Sequence, residues 1–130
     1  MGVLTKKQLR FLESHELCRL ATASKLAVPH VVPVIYAMDR QSIVIASDYK
    51  TRKLRDLNEN PVAAVLVDDF KPNRAVLVEG ACKVQERGSE YLRLLKVLFD
   101  RFEYYRKNPW DEGEAPILVV EPAKAVSWGI

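Results

Sequence analysis

Apolar and polar positions along the chain change period several times, and each change marks an element. Thr5 and Gln8 stand at capping-box spacing, and Leu9, Phe11 and Leu12 follow at helical spacing, so a first helix is expected to about residue 16. Residues 17–24 (LCRLATAS) read as a strand and 25–27 as a turn. The run 28–38 (VPHVVPVIYAM) reads as one β-strand. Its Pro29 and Pro33 cannot donate to a ladder, so it needs a free edge or a bulge. After a turn at 39–41, Ile43 to Ala46 continue the β pattern, and Ser47-Asp48 is turn chemistry. Thr51 can cap a short helix carrying Arg52, Lys53, Leu54, Arg55 and Leu57, which Asn58-Glu59-Asn60-Pro61 terminates. Strands at 62–67 and 74–85 flank a polar turn at 68–73, and Gly80 marks a bulge or tight bend in the second of them. The period then becomes helical over 89–105, with Leu92, Leu95, Leu98, Phe99 and Phe102 as the apolar stripe. A loop at 106–114, a last core strand at 116–121 and a tail at 123–130 complete the chain.

Six strands at short spacing, most joined by tight turns, predict a mainly β fold: a six-stranded antiparallel sheet closed into a small barrel, with peripheral helices. The alternation of strands and helices that builds a doubly wound sheet is missing. At 130 residues and 48% hydrophobic content, the expectation is a single domain over 1–130 with one substantial core. The net charge of +3 is too mild to imply nucleic-acid binding. Cys18 and Cys82 lie in strand patterns without metal-ligand spacing, which predicts buried reduced thiols and a cytoplasmic protein. No apolar run has the length of a membrane span, so no membrane association is expected.

The sharpest chemical signal is the start of the short helix. Lys50, Arg52, Lys53 and Arg55 crowd an end already positive from the helix dipole and from unpaired N–H groups. Stability alone would place Asp or Glu there. A bound anion reverses the cost, and phosphate at a helix N-terminus is the commonest such anion. Ser47 and Thr51 add two hydroxyl donors to the same turn. A merely solvated basic face is the competing reading.

Other constellations carry less. His15 and His30 are the only histidines, and neither has a carboxylate at ligand spacing, so no metal site is predicted. His30 stands either as a donor near a ligand or as a surface histidine. Asp68 and Asp69 read as a solvated turn, because adjacent strand residues face opposite ways. Tyr104, Tyr105 and Trp110, beside Arg106 and Lys107, suggest an interface or the wall of a substrate pocket rather than a nucleic-acid stack. Ser47 and Ser127 have no His-Asp partners for nucleophilic catalysis.

Several segments, in order, resemble the pyridoxamine 5′-phosphate oxidase-like, FMN-binding split-barrel family: RLAT at 19–22, PHVVPV at 29–34, KTRKLRDLNENP at 50–61, VAAVLVDD at 62–69, R-x-V-x-V-x-G at 74–80, and the closing Val126-Ser127-Trp128. The resemblance implies a split barrel and a homodimer with two cofactor sites at the subunit interface. It implies an FMN phosphate held by Ser47, Lys50, Thr51, Arg52 and Lys53. The flavin ring would lie along Val32, Pro33, Val34 and Ile35 and the strand end at Ala46 and Ser47. Trp128 is expected beside the cofactor of one or the other subunit. Val31, Tyr36 and Ala75 stand where the true oxidase has basic or flavin-contacting side chains, and no segment matches its C-terminal substrate-binding one. A strict pyridoxamine phosphate oxidase is therefore not expected. The PH-x-x-PV strand and K-x-R-x-L helix start are similar to the F420-dependent branch, so F420 is the alternative cofactor. The function implied is hydride transfer to or from a small substrate by a flavin-dependent oxidoreductase, with a non-catalytic flavin-binding protein as the alternative. No catalytic side chain is assigned, because the cofactor carries the chemistry.

Overall fold

The computed structural model describes residues 2–130. Its seven strands are β1 (Leu17–Ala23), β2 (Pro29–Ile35), β3 (Ala37–Asp39), β4 (Ser42–Ala46), β5 (Val62–Asp69), β6 (Arg74–Gln85) and β7 (Ile117–Trp128). The helices are α1 (Lys6–Glu13), α2 (Arg52–Glu59), α3 (Ser89–Arg101) and α4 (Glu103–Lys107). All strand pairs are antiparallel, in the order β2-β1-β5-β6-β7-β4-β3. The two outermost strands, β2 and β3, are consecutive in the chain with only Tyr36 between them. One residue cannot bridge the width of a flat seven-stranded sheet. The sheet therefore curls until its edges meet at that corner, as a split barrel.

Tyr36 corrects the expectation of a single strand over 28–38. Its N–H donates to the Glu16 carbonyl at 2.9 Å, and its hydroxyl to the Leu12 carbonyl at 2.5 Å. Those two bonds take Tyr36 out of the ladder and pin the corner to the end of α1. Pro29 and Pro33 do lie on an edge strand, where a missing N–H costs no ladder bond.

The concave face holds the main core, with Leu20, Ile43, Ile45, Val65, Val78 and Leu118 fully buried, closed by Phe11 and Leu12 of α1 and Leu54 and Leu57 of α2. Thr5 and Gln8 make both bonds of the capping box on α1. Outside the sheet, α3 covers Val44, Ile117 and Val119 with Tyr91, Leu94 and Leu98. Of the expected stripe, Leu98 and Phe102 are buried and Leu95 packs against them, whereas Leu92 is exposed and Tyr91 and Leu94 take the inward positions. The ring of Tyr91 enters the core while its hydroxyl donates to the Ala115 carbonyl at 2.6 Å, so a residue that reads as polar anchors the helix. The helix is also shorter than expected. It stops at Arg101, Phe102 is extended (φ −122°, ψ 117°), and α4 starts afresh.

Two further differences concern the sheet. The tail at 123–130 is not a trailing segment: β7 runs through Trp128, paired to β6 on both sides of Ala123, while the seventh strand comes from the break at Tyr36, which divides 28–38 into β2 and β3. Asp69 is no solvated turn residue, since it pairs with His15 at 2.9 Å and with Arg74 at 2.5 Å, and both partners hold its carboxyl below the usual carboxylate range. Gly80 does mark a bulge. The β6–β7 register shifts between Glu79 and Gly80, leaving Ala123 without a partner.

Candidate functional site

The α2 N-terminus sits where the C-terminal end of β4, the start of β2 and α4 converge. Ser47, directly after β4, is buried and donates its N–H to the Pro116 carbonyl at 3.0 Å. Thr51 is the N-cap of α2, accepting the Leu54 N–H at 3.4 Å and donating its hydroxyl to the Asp48 carbonyl at 3.0 Å. The Ser47 and Thr51 hydroxyl oxygens lie 3.4 Å apart. Both hydroxyls can turn their protons toward an anion at the helix end.

The first turn of α2 contains no acidic residue. Among the described residues, Lys50, Lys53 and Arg55 make no salt bridge. Two hydroxyls, the free N–H groups of the first turn and uncommitted lysines are the donor set that a phosphate monoester requires. The residues present therefore fit a phosphate.

Arg52 behaves differently from its neighbours. Its Nη2 donates to the Pro29 carbonyl of β2 at 3.2 Å, and its Nε stands 3.7 Å from the carboxylate of Asp56. Asp56 is almost wholly buried and accepts the Thr22 hydroxyl at 3.0 Å. Arg52 thus straps α2 to β1 and β2, which the sequence reading missed. The one available signal was an acidic residue four positions after Arg52 in an otherwise basic helix.

Val32, Pro33, Val34 and Ile35 run along β2, whose outer edge has no strand partner. Val34 packs on the main core, and Ile35 on the cluster under α3. His30 lies opposite Thr22 on β1, beside the Arg52–Asp56 strap. Ala46 pairs with Ile117 at one end of β7, whereas Trp128 pairs with Ala75 at the other. Within one protomer, then, β4, α2 and β2 come together and Trp128 stands apart. Its indole N–H donates to Asn73 at 3.2 Å, and its ring is half exposed.

The aromatic residues that read as an interface or a pocket wall do line a cavity, and what the sequence did not show is its opposite side. Tyr104, Tyr105, Asn108 and Trp110 wall a cavity of about 320 Å³ whose other side is Ala46, Ser47, Asp48 and Lys53. Burial and the neighbouring Tyr104 and Asp48 push the Tyr105 phenol up to about 12. Cys18 and Cys82 lie elsewhere, both buried and unpaired, and burial pushes each thiol up to about 12.

The family model described as pyridoxamine 5′-phosphate oxidase matches residues 4–128. The chain belongs to the pyridoxamine 5′-phosphate oxidase family. A 5a,11a-dehydrotetracycline/5a,11a-dehydrooxytetracycline reductase of Streptomyces rimosus is 25% identical over 135 residues, covering 97% of this chain and 83% of that protein. The haem storage protein HutZ of Vibrio cholerae superposes with a TM-score of 0.80 at 14% identity, over 97% of this chain and 94% of its own. A structure described as an F420 reductase gives a TM-score of 0.70 at 24% identity, over 95% and 98% of the two chains. These two likenesses are likenesses of fold. Proteins of this fold are thus named for different bound groups.

Proposed function

We propose that this family member is a flavin-dependent oxidoreductase that grips an FMN phosphate at the α2 N-terminus and works as a homodimer on a small substrate. The observation that carries the reading is the donor set around Ser47, Thr51 and Lys53, complete for a phosphate and free of any internal acidic partner. Ser47, Lys50, Thr51 and Lys53 hold the phosphate, and Arg52 fixes the angle between the helix and β2. The backbone of Val32 to Ile35 supports the ring, with Ala46 and Ser47 at its phosphate end. When bound, the flavin supplies hydride transfer. The protein's part is to orient the ring, exclude water from one of its faces and seat the substrate against the other. The Streptomyces rimosus relative, named as a reductase, supports hydride donation to the substrate.

F420 is the second reading, favoured by the F420 reductase of like fold. It presents the same phosphate to the same donors. The buried unpaired thiols of Cys18 and Cys82 fit a reducing compartment such as the cytoplasm.

The dimer reading rests on the outer face of the sheet. The apolar stripe of α3 is spent on β4 and β7, so it does not serve as the contact. The half of the sheet beyond α3 leaves Leu17, Val31, Val62, Val126 and Trp128 exposed on one side of β1, β2, β5 and β7. Several exposed apolar side chains on one sheet face, interspersed with Arg19, Asp68, Glu79 and Lys124, fit a surface covered by a partner. A second copy seated there would cover β2 and is the route by which Trp128 reaches a cofactor, that of the neighbouring subunit.

The test is the absorbance of purified protein reconstituted with FMN, together with its sedimentation. The expected result is a bound two-band flavin spectrum on a dimer at micromolar concentration, and a monomer when Val31 and Val62 are both replaced by Arg. A single band in the violet from the protein as purified would assign F420. No bound chromophore, with DNA binding that falls steeply with salt, would overturn the reading in favour of a nucleic-acid-binding barrel. A flavin-loaded monomer would overturn the dimer.

A further inference from the structure

The cavity beside the phosphate site is not explained by FMN alone. Arg52 and Lys53 are consecutive but point to different compartments: Arg52 reaches the Pro29 carbonyl on β2, while Lys53 lines the cavity under α4. A phosphate at the helix end therefore has the ring strand on one side and an aromatic-walled space on the other. That space, about 320 Å³, lies at the lower end of the roughly 300–1,000 Å³ typical of ligand pockets. It has room for one nucleoside-sized group.

Its walls select for a planar group. Tyr105 meets Trp110 edge to face (5.0 Å between centroids, 87° between planes) and Phe102 in the same way (5.6 Å, 82°). Trp110 meets Phe99 at 5.0 Å and 82°, and Tyr104 is tilted 56° from Tyr105. Each edge-to-face contact covers one face of one ring, and Tyr104, which takes part only in the tilted contact with Tyr105, keeps the most open ring of the cluster. Tyr104 is 66% exposed. The wall is also held rigid: the indole N–H of Trp110 donates to the Tyr91 hydroxyl at 2.9 Å, which itself donates to the Ala115 carbonyl at 2.6 Å. At the mouth, the Asp48 carboxylate can accept hydrogen bonds from hydroxyl or amino groups, and Lys53 can meet a phosphate.

We infer that the cavity between the α2 N-terminus and α4 receives an adenosine attached through phosphate, so that the site takes FAD as well as FMN, with the adenine stacked on Tyr104. The inference rests on the phosphate-site reading above and extends it to the group beyond the phosphate. AMP, which carries the adenosine and phosphate without any flavin ring, is the probe that separates the two.

Calorimetric titration of the full chain and of Tyr104→Ala with FAD, FMN and AMP tests it. Tyr104 is exposed enough for its removal to leave the fold intact. FAD is expected to bind the parent at least about fivefold more tightly than FMN. In Tyr104→Ala, FAD and AMP should weaken by roughly 5- to 150-fold, the range for loss of one base–aromatic stack, and FMN by less than about twofold. Tyr104→Phe should restore FAD and AMP binding, because the stack needs the ring and not the hydroxyl. Equal losses for FAD and FMN, or AMP binding indifferent to Tyr104, would overturn the inference while leaving the flavin reading standing. AMP binding that depends on Tyr104 without any FMN binding would retain the cavity and remove the flavin. Binding of none of the three would end both.

Discussion

Lys53→Ala should weaken FMN binding by roughly 10- to 150-fold and leave riboflavin binding unchanged. Lys53 follows the N1 residue of α2, faces the cavity mouth and has no anionic partner among the described residues. A hydrogen bond from its ammonium to a phosphate is charge-assisted, a class that contributes about 1.5–3 kcal/mol, and 1.4 kcal/mol is a factor of ten. Riboflavin lacks the phosphate and should not register the change. Nor should the apo-protein, since losing a cation at the positive end of a helix relieves repulsion. Arg52→Ala is the instructive contrast. From the sequence, its removal also looks harmless or stabilising. In the structure Arg52 is the cation beside the buried Asp56 carboxylate, and removing it leaves that charge with only the Thr22 hydroxyl. Only the Asp56 side of this pair is buried, and a buried carboxylate that loses its cation is destabilising, so Arg52→Ala should lower the unfolding midpoint where Lys53→Ala does not. Denaturant unfolding of both variants, alongside FMN and riboflavin titrations, reads the two effects separately. Equal midpoints would refute the strap.

A larger effect on stability is expected at a residue remote from the site. Gly80→Ala should cost about 3 kcal/mol, or roughly 10 °C in Tm for a chain of this size. A Cβ at Gly80 would stand 1.9 Å from the Glu121 carbonyl oxygen and 2.9 Å from its carbon. Both are backbone atoms of the neighbouring strand and cannot swing aside as a side chain would. The register shift at this point lets β7 pass close over Gly80. Gly88 requires glycine for a different reason: nothing lies within 4 Å of a Cβ there, but its φ of 97° and ψ of −176° fall in a backbone region that is essentially glycine-only. Thermal unfolding of Gly80→Ala against the parent reads the close approach directly. A loss of Tm below about 3 °C would mean that the close approach of β7 is not what fixes glycine at position 80.

Whatever depended on neighbouring residues was legible in the sequence. The Thr5–Gln8 capping box, the Thr51 cap, the stop at Asn60-Pro61 and the full length of β6 are set by spacings of a few residues, and the structure has them all. The basic helix start was legible for the same reason. Whatever depended on partners distant in the chain was not. Tyr36 looks like one more strand residue in an apolar run, and only its bonds to Leu12 and Glu16 turn the chain there. The segment from Ala123 to Trp128 mixes small, charged and apolar residues, and it is strand because β6 offers a template more than forty positions earlier in the chain. The Thr22–Asp56 contact spans 34 residues, and although Tyr104, Tyr105 and Trp110 read as a possible pocket wall, the end of β4 that faces them did not. On α3, Leu98 and Phe102 are buried as expected, but the start of the stripe was misplaced at Leu92 because Tyr91 counts as polar by its hydroxyl, yet buries its ring.

The central claim is that a flavin phosphate is held by the α2 N-terminus. The most direct test is the pair of dissociation constants of the unaltered protein for FMN and riboflavin, measured by quenching of flavin fluorescence at one ionic strength. With at least two charge-assisted bonds reserved for the phosphate, FMN should bind at least about a hundredfold more tightly than riboflavin. Equal dissociation constants for the two ligands would contradict the account.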